Sequence, residues 1–283
     1  MQPDARYQGQ PESFWAYVRA VGEAKGYSIR GQSMVKAPTV QDLDETIADL
    51  GIPPGRVRGS TGLTDFGETL LSYFQHRANV LNSVVRPSLM DVDEARRMFE
   101  AKRAELQPRC PLPMNKQRGA KKAPAYFTGL INMLIESALE GEDCDYDPKQ
   151  LTKLTDESGL LRTLARRVDG ACPSAINPVA IWEIKEYYYT TTFGSRVAGG
   201  IYETLLDGME LKNLAESHEA RVLHYLFVDS HRTWWLSGRS YLCRLIDALH
   251  MGYVDEVLFG REVLERLPML VDEWRRMLRF RPA

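Results

Sequence analysis

Asn177-Pro178-Val179-Ala180-Ile181-Trp182-Glu183-Ile184-Lys185-Glu186-Tyr187-Tyr188-Tyr189 is rich in β-branched and aromatic residues from Val179 onward. It predicts a strand over Val179 to Tyr189. Alternate side chains of a strand share a face, so Glu183 and Lys185 project to one side, Trp182 and Ile184 to the other. Placing an acid and a lysine on one face of a buried strand costs desolvation of both. Upstream lies Arg166-Arg167-Val168-Asp169-Gly170, with Asp169 fourteen positions before Glu183. A weaker strand reading covers Leu160 to Val168, whose leucines and arginines also suit a helix ending in a short strand. On that reading Asp169 sits at the Gly170 turn after the strand, and a hairpin-like return brings it to Glu183.

The flanking sequence is helical. After this strand come a helical stretch over Gly194 to Leu214 and an apolar strand, Val222 to Val228. Helices follow over Ser240 to Met251 and Val263 to Arg279. Before it, Ala125 to Leu139 carries Phe127, Leu130, Ile131, Leu134 and Ile135 at helical spacing. From residue 125 the order reads α-β-β-α-β-α-α, a mixed α/β domain. The first 107 residues read as helices alone. One carries Phe14, Trp15, Val18 and Val21 and stops near Gly26. Further helices cover Val40 to Leu50 with Thr39 as N-cap, about Asp65 to Val84, and Asp91 to Leu106.

Three units follow from this pattern: residues 1–107, a helical N-terminal domain that contacts DNA or dimerises; residues 108–124, a basic connector; and residues 125–283, the α/β domain with its C-terminal helices. Residues 102–122 hold seven cations against Glu105 alone, and Pro108, Pro111 and Pro113 keep the stretch extended. Lys116, Arg118, Lys121 and Lys122 are its phosphate-binding candidates. The equal alternative is a solvated linker.

Composition narrows the class. Of 283 residues 44 % are hydrophobic and 26 % charged, and 36 basic against 38 acidic residues leave a formal charge of -2. These values exclude a disordered or fibrous chain, and any basic surface must be local. Four cysteines far apart, Cys110, Cys144, Cys172 and Cys243, argue against a zinc ribbon or disulfide framework and suit a reducing cytoplasm. No apolar run approaches the roughly 18 residues of a membrane span. The five histidines have no zinc spacing, although a nuclease built on His231 is a weaker alternative. No Walker loop, GxSxG elbow or GxGxxG turn occurs.

Two carboxylates and a nearby ammonium suit Mg²⁺, which binds through one or two carboxylates, phosphate oxygens and water. Asp169 followed by Glu183-Ile184-Lys185, between a leading helix and a following helix and strand, resembles the PD-(D/E)XK, or restriction-endonuclease-like, nuclease superfamily. The wider run from Trp182 to Arg196 is also similar to bacterial proteins described as restriction endonucleases. Val168 stands where that superfamily often has proline. The resemblance covers about residues 125–230 and implies a mixed sheet flanked by helices, with core order α-β-β-β-α-β, here preceded by the all-α region.

It further implies that Asp169 and Glu183 hold Mg²⁺, with Mn²⁺ able to substitute, that the Ile184 carbonyl adds a ligand, and that Lys185 positions or activates the attacking water. Glu136 on the leading helix is a further candidate ligand, with Glu157 competing for that role. Arg196, opening the next helix, is a phosphate-binding candidate. Tyr187 and Tyr189 could stack on a base, although packing on the sheet is commoner, and packing is the better reading of Trp234-Trp235. The expected activity is Mg²⁺-dependent cleavage of DNA in restriction or phage defence, by a homodimer or a member of a defence complex, with no membrane. The alternative is a DNA- or protein-binding module of the same fold that cuts only when a partner activates it.

Overall fold

The computed structural model describes residues 1–29, 31–115, 122–189, 194–218 and 220–280, without the side chains of residues 195 and 196. Helix α1 (Glu12–Lys25) buries Phe14, Trp15, Val18 and Val21 and stops at Gly26, whose φ of 70° is readily reached by a residue without Cβ. Helix α2 (Val40–Asp49) opens on a capping box between Thr39 and Asp42. Helix α3 (Asp65–Val80), capped by Thr64, runs through a π-turn at Leu81–Val85 into the short α4 (Arg86–Ser88). Asp91 caps α5 (Val92–Leu106). Helix α6 (Tyr126–Leu139) is buried along most of its length.

Two sheets follow. Strands β1 (Lys153–Asp156) and β2 (Gly159–Thr163) form a small hairpin. Strands β3 (Gly170–Cys172), β4 (Ala180–Glu186), β5 (Leu223–Asp229) and β6 (Glu256–Phe259) form the main sheet in the order β3-β4-β5-β6. β3 is antiparallel to β4, whereas β4, β5 and β6 run parallel. Parallel neighbours need a crossover. Helix α7 (Ser195–His218) supplies it between β4 and β5, and α8 (Arg239–His250) between β5 and β6. Helix α9 (Val263–Arg279) follows β6.

The sheet is buried on both faces. Trp182, Tyr225, Phe227 and Leu258 pack with α5, α6 and α9, and Trp182 stacks on Trp274 at 5.4 Å. Leu226, Val228, Val257 and Phe259 pack with α7, α8 and the end of α3. The chain is therefore a mixed α/β protein of helix, sheet and helix layers. Among the described residues no helix is long and apolar enough to cross a membrane. All four cysteines are free thiols.

Helices on the N-terminal side of residue 107 share cores with the rest: α3 contributes Ala78 to the same cluster as β5 and α8, and α5 contributes Phe99 to that of α6 and α9. Two expectations need correction. Asp169 does not end a strand. The chain leaves β2 at Thr163, runs irregularly to Asp169, and only then enters β3. Strand β3 is only three residues long, too short to show a two-residue period. Finally, β1, β3 and β6 join the order, and β6 hides in a four-residue run too short to tell from a helix edge.

Candidate functional site

Register sets the site. Gly170 pairs with Trp182, and one residue earlier the Asp169 amide donates to the Trp182 carbonyl at 3.1 Å. Asp169 thus stands across from Glu183 at the mouth of the β3–β4 ladder. Gly170 makes this approach possible: a Cβ there would lie 2.1 Å from the Trp182 ring. Any larger residue must push β3, and Asp169 with it, away from β4. The Ile184 amide donates to Asp169 Oδ2 at 2.8 Å and fixes the carboxylate.

Strand alternation places Glu183 and Lys185 toward α7, as their spacing predicts. Lys185 Nζ donates to Glu183 Oε2 at 2.7 Å and to Glu203 Oε2 at 3.0 Å. Arg166, from the irregular segment before β3, forks onto Glu183, with Nη1 2.8 Å from Oε1 and Nη2 3.1 Å from Oε2. Its Nη1 also reaches Asp207 Oδ2 at 2.6 Å. Glu183 and Asp207 are fully buried, whereas Asp169 and Glu203 are open to solvent. Four carboxylates thus meet two cations, a formal surplus of two negative charges.

This imbalance sets the proton affinities. Burial alone would raise Glu183, but the Lys185 charge and the Arg166 hydrogen bonds outweigh it and hold the carboxyl below its ordinary value. Asp207 has a weaker share of those cations. Burial pushes it up to about 7, and the Glu183 charge adds to that against Arg166. The surrounding protein and the Glu183 charge push Asp169 up to about 6. Burial would lower Lys185, yet Glu183 and Asp169 keep it well above the usual lysine range.

A cleft of about 520 Å³ opens beside this cluster. Asp169, Ile184 and Glu203 line it, with Tyr187, Tyr188 and Tyr189 just after β4, Thr128 and Asn132 from α6, and Pro111, Pro113, Met114 and Asn115. Tyr187 stacks on buried Trp234 at 5.5 Å, and Trp234 and Trp235 are core residues as expected. Glu186 turns to the other face. Its Oε2 accepts from the Thr128 amide at 3.0 Å and hydroxyl at 2.9 Å, capping α6, whose N-cap is the non-polar Ala125.

Other expected site residues lie elsewhere. Glu136 is not brought to the cluster. It lines a second depression and accepts from the Arg109 amide at 2.9 Å, because the chain after α5 folds back over that part of α6. Glu157 is exposed in the β1–β2 turn. Lys122 is exposed, while Lys116, Arg118 and Lys121 lie outside the described residues, as does the side chain of Arg196.

Arg166, Glu203, Asp207 and Glu186 carry parts of the site that sequence reasoning gave no role. One signal was present: Asp207 falls three after Thr204 and four before Leu211, on the buried stripe of α7. An acid on an apolar stripe needs a partner. The oxygen-only donors and their surplus charge suit a hard divalent cation. The arrangement does not itself make a cage: among the described residues no group of three or more His, Cys, Asp or Glu could hold a metal ion. The Arg166 guanidinium stands between the acids instead.

No curated protein and no solved structure matches the chain. Residues 1–84 match the family model described as Domain of unknown function (DUF7690). Over residues 90–274, more than half its length, the chain matches a second model, and it belongs to that family, Domain of unknown function (DUF7687).

Proposed function

We propose that this protein is a divalent-metal-dependent endonuclease that hydrolyses DNA phosphodiester bonds, with a restriction-endonuclease-like core, working in restriction or phage defence in the cytoplasm. The observation that carries the reading is the meeting of Asp169, Glu183 and Lys185 at one end of the β3–β4 ladder beside an open cleft. The order α6, short strands, β4 with its acid and lysine, α7 and parallel β5 supports the fold assignment.

Asp169 and Glu183 are the residues that would hold Mg²⁺ or Mn²⁺, with the Ile184 carbonyl beside them. When bound, such a cation neutralises charge on phosphorus and lowers the pKa of a coordinated water. The chain's own groups do the positioning. The Ile184 amide orients Asp169. Glu183 holds the Lys185 ammonium near the cleft, where it orients a water or a phosphate oxygen, and Tyr187 and Tyr189 are the rings that would meet a base or sugar. DNA is the proposed substrate, bound with help from the basic segment around Lys122. A homodimer suits cutting of both strands at a two-fold site.

Nicking of supercoiled plasmid tests the reading, with Mg²⁺ or Mn²⁺ and with chelator. Asp169→Ala and Lys185→Ala, each verified as folded, should slow cutting by roughly 10²–10³. Parent-like cutting by both variants places the chemistry elsewhere. One observation favours a second reading, in which a partner activates cleavage: both Glu183 oxygens already accept from Arg166 and Lys185. Cutting that begins only when a defence partner is added selects it.

A further inference from the structure

Two thiols meet at the far edge of β3. Asp145 forms an antiparallel bridge with Ala171, each amide donating to the other's carbonyl at 2.9 Å. The segment around Asp145 therefore lies along the edge of β3 that β4 leaves open. An antiparallel pair that exchanges both hydrogen bonds is followed by one that exchanges neither, and Cα atoms of that next pair are about 4.5 Å apart. Register makes this pair Cys144 and Cys172. Their side chains share a face. Cys172 belongs to the core beneath α6 and α9, and Cys144 packs against that core, whereas Ala171 joins Ile181 and Leu214 in a separate cluster. The two thiols are hydrogen-bond neighbours. Each also donates to a carbonyl across the pair, Cys144 to Ala171 at 3.6 Å and Cys172 to Asp143 at 4.0 Å. A disulfide needs Cα atoms roughly 4.4–6.8 Å apart and Cβ atoms turned toward each other. This pair meets both conditions. Access is one-sided: Cys172 is fully buried, but Cys144 is half-buried and lines the second depression with Glu136, Asp143 and Tyr146.

We propose that Cys144 and Cys172 form a reversible redox-modification site, oxidised to a disulfide by peroxide and restored by small thiols that enter through the second depression. The Cys144 thiolate attacks one oxygen of hydrogen peroxide. The O–O bond breaks, the sulfur becomes a sulfenic acid, and the departing hydroxide takes a proton and leaves as water. Cys172 then attacks the Cys144 sulfur; the S–O bond breaks, the hydroxide leaves with the Cys172 proton as a second water, and the S–S bond forms. Two thiols have lost two electrons and two protons, and one peroxide has become two waters. Reduction runs by exchange. One reductant thiolate attacks the Cys144 sulfur and expels Cys172, and a second releases Cys144 and carries off the reductant disulfide. The Cys172 hydrogen bond and burial push the Cys144 thiol up, so thiolate is scarce near neutrality and oxidation quickens as pH rises. The bond closes a loop holding β1, β2 and Arg166, and it clamps the Asp145 segment to the strand that follows Asp169. Tyr146 and Asp147, next along that segment, line the cleft with Asp169, so oxidation fixes one wall of it. Such a pair suits a reducing compartment, where disulfides are transient and redox-sensing rather than structural.

The full-length chain, reduced and then freed of reductant, is treated with hydrogen peroxide. Its intact mass should fall by two hydrogens, and peptide mapping without reduction should join Cys144 to Cys172. Dithiothreitol should restore both thiols. The midpoint of thermal unfolding should rise by roughly 5–10 °C in the linked chain, because a closed loop leaves the unfolded state less entropy to gain. Cys144→Ser and Cys172→Ser should each lose the mass change and the thermal shift, whereas Cys110→Ser should keep both. Peroxide that leaves Cys144 and Cys172 as thiols, or joins Cys144 to Cys110 or to a second chain, overturns the proposal. If a serine variant does not fold, the linkage map of the native chain decides. No readout uses DNA, so the result is independent of plasmid cutting.

Discussion

Two arginines hold buried aspartates in this protein, and they do so under opposite charge balance. Arg77 on α3 places Nη1 2.9 Å from both oxygens of Asp247 on α8, and the Tyr73 hydroxyl donates to the same carboxylate at 2.5 Å. Arg166 places Nη1 2.6 Å from Asp207 but shares itself with Glu183 and Glu203. The first contact is one cation to one anion, enclosed by rings and 2 % exposed at the arginine. The second belongs to a cluster with two surplus negative charges at the edge of a cleft. A balanced buried pair needs nothing further and joins α3 to α8. An unbalanced one is stable only with a proton or another cation, and for that reason perturbed acids gather at functional sites.

The largest expected effect comes from removing the structural partner altogether. A chain beginning at Pro108 loses Arg77, Tyr73, Phe74 and Phe99 from cores shared with the rest, and it should not fold. Circular dichroism and a denaturant titration would show a featureless melt. A cooperative melt with the metal site intact would restore the separable N-terminal unit that the sequence suggests.

Single changes then divide stability from activity. Asp247→Asn leaves Arg77 charged and unpaired in the core, which should cost about 3–5 kcal/mol of unfolding free energy. A loss below 1 kcal/mol would show that the pair is not what joins the two helices. Glu183→Gln should do the reverse. It lowers the surplus charge of its cluster by one, so stability changes little while plasmid cutting falls by roughly 10²–10³.

The smaller effect is a pH dependence. Asp207 is raised to about 7 in the folded chain, from an ordinary value near 3.8. A raised folded value means that the native state binds the proton more tightly. Stability is therefore complete below the ordinary value and is lost as pH rises through about 7. Asp207→Asn lacks this loss, so its stability relative to the parent should improve between pH 4 and 8, by on the order of 3 kcal/mol. Urea titrations at pH 4, 6 and 8 measure the gap. A gap that stays constant would show Asp207 to be as well balanced as Asp247.

Much of this was legible in the chain itself. The apolar stripe of α9 gives its limits, Val263 to Arg279, to the residue, and the β-branched and aromatic runs locate β4 and β5 within a few positions. Their two-residue period puts Glu183 and Lys185 on one face because local backbone geometry requires it. A signal of that kind needs several residues to repeat. β3 and β6, with three and four, had none to show.

Local pattern thus accounts for the long elements, the shared face of Glu183 and Lys185, and the all-oxygen character of the acids near them. Tertiary structure alone decided the rest. It set Asp169 across from Glu183 through a glycine that lets Trp182 approach. It folded α3 and α5 into the cores of the sheet. It also brought Glu183, Glu203 and Asp207 to one guanidinium, that of Arg166, from positions 17 to 41 residues away. The physical reason is range: periodicity and capping act within a few residues, whereas charge balance depends on which groups the packed chain brings within a few ångströms, and no spacing in the sequence encodes that distance.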